Sequence, residues 1–107
     1  MPYVDVHCHL THKDFDHDLD AVVKNASKLG LKHIISNGLN PQSNRQALTL
    51  AAKYPVISAA AGIYPIDAVN HLLPDDFTLK IEKFNVDQEI ATIAEYAHRK
   101  KIIAVGE

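Results

Sequence analysis

His7 and His9 are the residues whose types and spacing could most directly do chemistry. Neutral imidazole is a good ligand for divalent transition metals, and zinc, manganese or iron would suit such a pair. The pair lies in Val4-Asp5-Val6-His7-Cys8-His9-Leu10. Tyr3, Val4 and Val6 favour a pleat and no helical period runs through the stretch, which predicts a strand. Strand alternation would place Asp5, His7 and His9 on one face, and Val4, Val6, Cys8 and Leu10 on the other. The histidines would stand roughly 6.6 Å apart along the backbone, within reach of one ion. Asp5 would accept a proton from a histidine ring or contact the ion itself. Cys8, facing the other way, reads as a small buried hydrophobe. The plainer alternative is two partly exposed histidines at a strand end.

The elements that must position this pair follow from the rest of the chain. Its 107 residues are enough for one domain, 1–107, and 47% hydrophobic with 22% charged residues is a globular composition. One cysteine excludes an internal disulfide framework and suits a reducing compartment. No apolar run approaches the roughly 20 residues of a membrane span, and the N-terminus shows no signal peptide. The expectation is a cytoplasmic protein with no membrane partner. A net charge of −2, from 11 basic and 13 acidic residues, leaves no electrostatic footprint for nucleic acid. It does not exclude a nucleic-acid enzyme, since metal ions in a small cleft can attract phosphates. Of the seven histidines, His12, His17, His33, His71 and His98 read as surface or boundary residues.

Phe15, Leu19, Val22, Val23, Ala26 and Leu29 recur at helical spacing, and Gly30 closes that helix. Lys32 to Asn37 reads as a second strand. Asn40-Pro41 starts a helix that runs to about Tyr54, before Pro55, with Leu48, Ala51 and Ala52 facing inward. Val56 to Ala61 is a third strand, apolar enough to be covered on both faces. Ile66 to Phe84 is a long connection with a short helix near Ile66 to His71, and a candidate lid or substrate loop. A third long helix starts near Asn85, whose spacing to Gln88 is that of a capping box. Its predicted buried stripe is Ile90, Ile93, Ala94 and Ala97. Ile102-Ile103-Ala104-Val105 is a fourth strand, followed by Gly106-Glu107.

The order βαβαβαβ predicts an α/β fold with a parallel sheet. The repeat of about 30 residues is the module of an eight-fold βα barrel. Four strands make the N-terminal half of such a (β/α)8 barrel. In parallel βα folds the active site lies at the strand C-termini. His7 and His9 end the first strand, Asn37 the second, Gly62-Ile63-Tyr64-Pro65 the third and Glu107 the fourth. Glu107, at the mouth of the sheet after Gly106, is therefore a ligand candidate.

Asp5-Val6-His7-Cys8-His9-Leu10 resembles the opening signature of the TatD-family metal-dependent deoxyribonucleases, within the amidohydrolase-like metal barrels. Gly62-Ile63-Tyr64-Pro65 falls where that family usually has Gly-x-His-Pro. Ala104-Val105-Gly106-Glu107 resembles the first half of the family's Gly-Glu-x-Gly-Leu-Asp motif. The resemblance covers the whole chain and the N-terminal half of the family's barrel. It implies that His7 and His9 bind one metal and that Glu107 binds or bridges a metal pair, which makes Glu107 and Asp5 the candidate catalytic residues. It implies two divalent ions per intact site (zinc, manganese or magnesium) and DNA as the substrate. Further ligands would come from later strands. Tyr64 departs from the family's histidine, yet can still donate one hydrogen bond to substrate. Two rivals stand beside this reading. One is a related metal barrel cutting an amide, ester or lactone. The other is a non-catalytic half-barrel, which would sit beside a C-terminal half or self-associate through its bare sheet edges.

Overall fold

In a computed structural model, residues 1–77 and 82–106 are described. Strands β1 (Tyr3–Cys8), β2 (Leu31–Asn37), β3 (Ile57–Gly62) and β4 (Ala104–Gly106) form one four-stranded sheet. Its order is β1-β2-β3-β4 and every pair is parallel. A strictly sequential parallel sheet is the order of a barrel, because a doubly wound sheet reverses direction at a switch point. The fold is thus the predicted half of a (β/α)8 barrel. Its helices are α1 (Leu19–Lys28), α2 (Pro41–Lys53), the short α3 (Pro65–Ala68) and α4 (Val86–His98).

Local chemistry sets the helix ends. Asn40 caps α2 by accepting from the Ser43 N–H at 2.9 Å, and the Ser43 hydroxyl accepts the Asn40 N–H at 3.1 Å. Pro41 occupies the first turn, where its missing N–H costs nothing. Asn85 caps α4 by accepting from the Gln88 N–H at 2.9 Å, which is one half of the capping box its spacing to Gln88 suggested. At the other end of α4, Lys101 N–H donates to Tyr96 O and Lys100 N–H to Ala97 O. This is a Schellman closure with Lys100, at φ 55°, where glycine is usual.

Several expectations need correction. The first helix does not follow directly on a loop that ends at Phe15. Residues Lys13–Phe15 form a 3₁₀ turn, and α1 starts at Leu19. Leu29 is not in its buried stripe but 81% exposed, just past the helix end. On α2 the inward stripe is Asn44, Ala47, Leu48 and Ala51, while Ala52 is exposed. On α4 the inward residues are Glu89, Ile93 and Tyr96, and Ile90, Ala94 and Ala97 face outward. The fourth strand starts two residues later than predicted, although Ile102 is buried and Ile103 N–H already bonds Ala59 O. The connection after β3 carries, in place of one short helix near Ile66 to His71, the four-residue α3 and a 3₁₀ turn at Asn70–Leu72, and its residues 78–81 lie outside the described residues.

Two apolar clusters join the sheet to the helices. Leu10, Val23, Ile34 and Ile57 form one, and Ala47, Ala59, Ala61, Ile93 and Ile102 the other. The small β3 residues allow α2 to approach closely. Beside the second cluster lies a buried polar knot. Asn44 Nδ2 donates to Gly62 O and to Glu89 Oε1, each at 2.9 Å, and Asn44 Oδ1 accepts the Gly62 N–H at 3.1 Å. Both side chains are shielded from water. The knot anchors the end of β3 to α2 and α4. Gly38 makes the approach possible, since a Cβ there would lie 2.7 Å from the Asn44 Cα.

Candidate metal centre

The end of β1 does not keep a regular ladder. Its pairing with β2 shifts register between Tyr3 and Val4 and again between Asp5 and Cys8. The strand ends at Cys8 rather than Leu10. An irregular strand end re-aims side chains, and such features recur beside active sites. Asp5 takes part in shaping it, because its Oδ1 accepts the His7 main-chain N–H at 3.0 Å.

The rings of His7 and His9 nonetheless meet, perpendicular to one another with centroids 5.1 Å apart. Two imidazoles sharing an ion at about 2.0–2.1 Å per nitrogen place their centroids about 4.5–5.2 Å apart for bond angles of about 90–110°. The observed separation falls in that range. His9 Nδ1 lies 2.9 Å from the main-chain oxygen of Asn37. A carbonyl only accepts, so this contact is a hydrogen bond when Nδ1 carries the hydrogen, and in a neutral ring that tautomer leaves the Nε2 lone pair for a ligand role. Such a donor set fits a divalent ion. His9 is half-buried and His7 exposed.

Cys8 points elsewhere. It packs against the Leu10 cluster, and its thiol donates to Ile35 O at 3.5 Å. Burial, reinforced by the Asp5 charge, pushes that thiol up to about 11. It packs as a small hydrophobe, as its side of the strand suggested.

Other predicted site residues stand at the same end of the sheet. Asn37 closes β2, and its side chain donates to Ile35 O at 3.1 Å and reaches Val6 O at 3.5 Å. Gly106 closes β4 with its Cα beside Asn37, where a Cβ would lie 3.2 Å from Asn37 Oδ1. Tyr64 is 41% exposed at the mouth of β3, where it precedes α3 and its N–H bonds Leu39 O at 2.8 Å. Glu107 lies outside the described residues. Among the described residues, no three His, Cys, Asp or Glu side chains converge as a complete metal set.

A family model described as TatD related DNase matches residues 4–107. This chain belongs to that family. A 3′-5′ ssDNA/RNA exonuclease TatD from Salmonella typhimurium is 31% identical over 103 residues, covering 96% of this chain and 34% of the relative. The metal-dependent hydrolase YabD of Bacillus subtilis, itself uncharacterised, is 28% identical over 103 residues, or 96% and 35% of the two chains. The crystal structure of YjjV, a TatD homologue from Escherichia coli K12, superposes with a TM-score of 0.73 at 27% identity. That match covers 98% of this chain and 36% of YjjV. The chain therefore spans about a third of the length of the TatD relatives it matches.

Inspection of the sequence overlooked three residues near this end of the sheet. Ser36 is fully buried and its hydroxyl accepts the Leu10 N–H at 3.3 Å. Asn44 and Glu89 form the knot behind Gly62. Their signal was positional: Asn44 falls on the 44-47-48-51 stripe and Glu89 on the 89-93-96 stripe, so each was a polar residue on an inward helix face.

Proposed function

We propose that residues 1–107 form the N-terminal half of a metal-dependent hydrolase barrel that cleaves phosphodiesters in DNA. The observation that carries this is the His7–His9 pair at the mouth of a sequential parallel sheet, with His9 Nδ1 already committed to Asn37. Membership of the TatD-related DNase family and a nuclease relative at 31% identity support the substrate class. In this reading His7 and His9 hold a divalent ion and Glu107 binds or bridges a pair. Zinc, manganese or magnesium bound there would lower the pKa of a water and neutralise charge on the phosphoryl oxygens. Asp5 stiffens the irregular strand end through the His7 N–H. The Tyr64 hydroxyl donates a hydrogen bond to the substrate phosphate.

The bare edges favour a partner. Tyr3, Val4 and Val6 on β1 are 56%, 56% and 65% exposed, and Ile103 and Val105 beside the opposite edge 59% and 67%. Unpaired strands with apolar side chains are association sites. In the intact enzyme, further βα units of the barrel cover them, and the isolated chain would pair with a second copy. Among the described residues no helix is long and apolar enough to cross a membrane, and the single cysteine supports a cytoplasmic site of action.

The test uses His7→Ala, His9→Ala and Glu107→Ala in the full-length protein. Bound metal, single-stranded DNA cleavage and melting are measured together, beside amide and lactone substrates. Loss of metal and cleavage with a modest melting shift is expected. Near-normal cleavage by all three variants refutes the reading, and a protein inert on DNA but active on a lactone shifts the substrate class.

A further inference from the structure

We propose that Asn37 is a positioning residue for the His7–His9 site, fixing His9 as the Nδ1–H tautomer so that Nε2 is presented to the ion. The inference rests on the metal-site reading above. Main-chain pairing of β1 with β2 ends at Cys8 and Ser36, so the ladder itself does not hold His9. β2 supplies other anchors. The Asn37 carbonyl takes the His9 ring hydrogen at 2.9 Å, and the Ser36 hydroxyl takes the Leu10 N–H at 3.3 Å. His9 is thus held through its ring and through the residue that follows it.

The Asn37 carbonyl is itself held in place. The side-chain amide of Asn37 donates to Ile35 O on its own strand and reaches across to Val6 O on β1. The residue is 6% exposed, so these bonds are little weakened by competing water. With Nδ2 so directed, Oδ1 faces Gly106, where a Cβ would come within 3.2 Å. One side chain therefore braces β2 against β1 and leaves room beside it only for a glycine of β4. Ligating histidines commonly give their second N–H to a backbone carbonyl, which sets the tautomer and raises ligand basicity. Here the side chain attached to that carbonyl also braces the ligand strand. Aspartate has nearly the same shape and, ionised, no donor, so Asn37→Asp removes the brace while leaving the carbonyl.

The experiment uses the full-length protein, labelled with nitrogen-15 in its histidine rings and studied metal-free at about pH 8, where free imidazole is neutral. Long-range proton–nitrogen correlation should show the His9 hydrogen on Nδ1 in the wild type and a mixture of tautomers in Asn37→Asp. Calorimetric zinc titration should show affinity about 10–100-fold weaker in Asn37→Asp, with Asn37→Ala shifted the same way. A wild-type His9 carrying its hydrogen on Nε2 overturns the proposal without any variant having to fold. So does an Asn37→Asp protein with wild-type tautomer and zinc affinity. His9→Ala separates the two levels. Unchanged zinc affinity in that variant removes the metal site itself, whereas loss there with none in Asn37→Asp overturns only the role of Asn37.

Discussion

Asn44→Ala should be among the most destabilising single substitutions in this chain. Asn44 is fully buried and makes three hydrogen bonds, two to Gly62 and one to Glu89. Truncation leaves the Gly62 N–H, the Gly62 carbonyl and one Glu89 oxygen without this partner. A buried group so orphaned costs about 1–3 kcal/mol, more when it is charged. Water entering the vacated space would offset part of the sum, which places the expected loss at about 3–5 kcal/mol, the tail of the distribution for point substitutions. Urea unfolding of the full-length protein measures it, with the exposed Gln46→Ala on the same helix as a control expected within about 0.5 kcal/mol of wild type. Glu89→Ala completes a double-mutant cycle. Because the two side chains touch, a coupling of about 1–2 kcal/mol is expected. A loss under about 1 kcal/mol for Asn44→Ala, or strict additivity with Glu89→Ala, would refute the claim that this knot pins β3 to both helices.

Gly38→Ala should destabilise strongly, because its Cβ would fall 2.7 Å from the Asn44 Cα and 2.8 Å from its nitrogen, backbone atoms that cannot swing aside; thermal melting reads the effect. Lys100→Gly should stabilise by about 0.5–1 kcal/mol by relieving a left-handed residue inside an otherwise complete Schellman closure, measured as a higher urea midpoint. The Tyr54 hydroxyl and then Lys53 hold the Asp20 carboxyl below its ordinary value. A carboxyl lowered on folding contributes stability above its unfolded pKa, and the contribution disappears as pH falls through the folded value, so Tyr54→Phe should move the acid-unfolding midpoint upward in pH. Asp67 runs the other way: burial raises it, so its ionised form costs stability once pH passes its unfolded value, and Asp67→Asn should stabilise at neutral pH but not near pH 3. Residues 1–107 expressed alone should self-associate through the β1 and β4 edges, and a monodisperse folded monomer in sedimentation at high concentration would contradict that.

Alternation, helical period and capping residues are local properties, and they located the four strands and the long helices to within a few residues, while the βα repeat implied the parallel half-barrel. Asn40-Pro41 and Asn85 marked helix starts because a cap acts within one turn. His7 and His9 could be paired from spacing alone, since neighbours in a strand end are neighbours in space. What spacing could not show is how that end is shaped. A register shift depends on which residues of β2 are available to pair, so the regular ladder expected from Asp5 through Leu10 is interrupted, although His7 and His9 still share a side and Cys8 lies away from them. The buried face of α4 was misread because Ile90, Ala94 and Ala97 form as good an apolar stripe as Ile93 and Tyr96. Only the position of β3 and α2 decides which side is covered. The partners of Asn37, Ser36, Asn44 and Glu89 are likewise invisible in one dimension. Hydrogen bonds between residues 18 to 45 apart exist only once the strands and helices have closed around them, and a buried polar group is stable only where that closure supplies its partner.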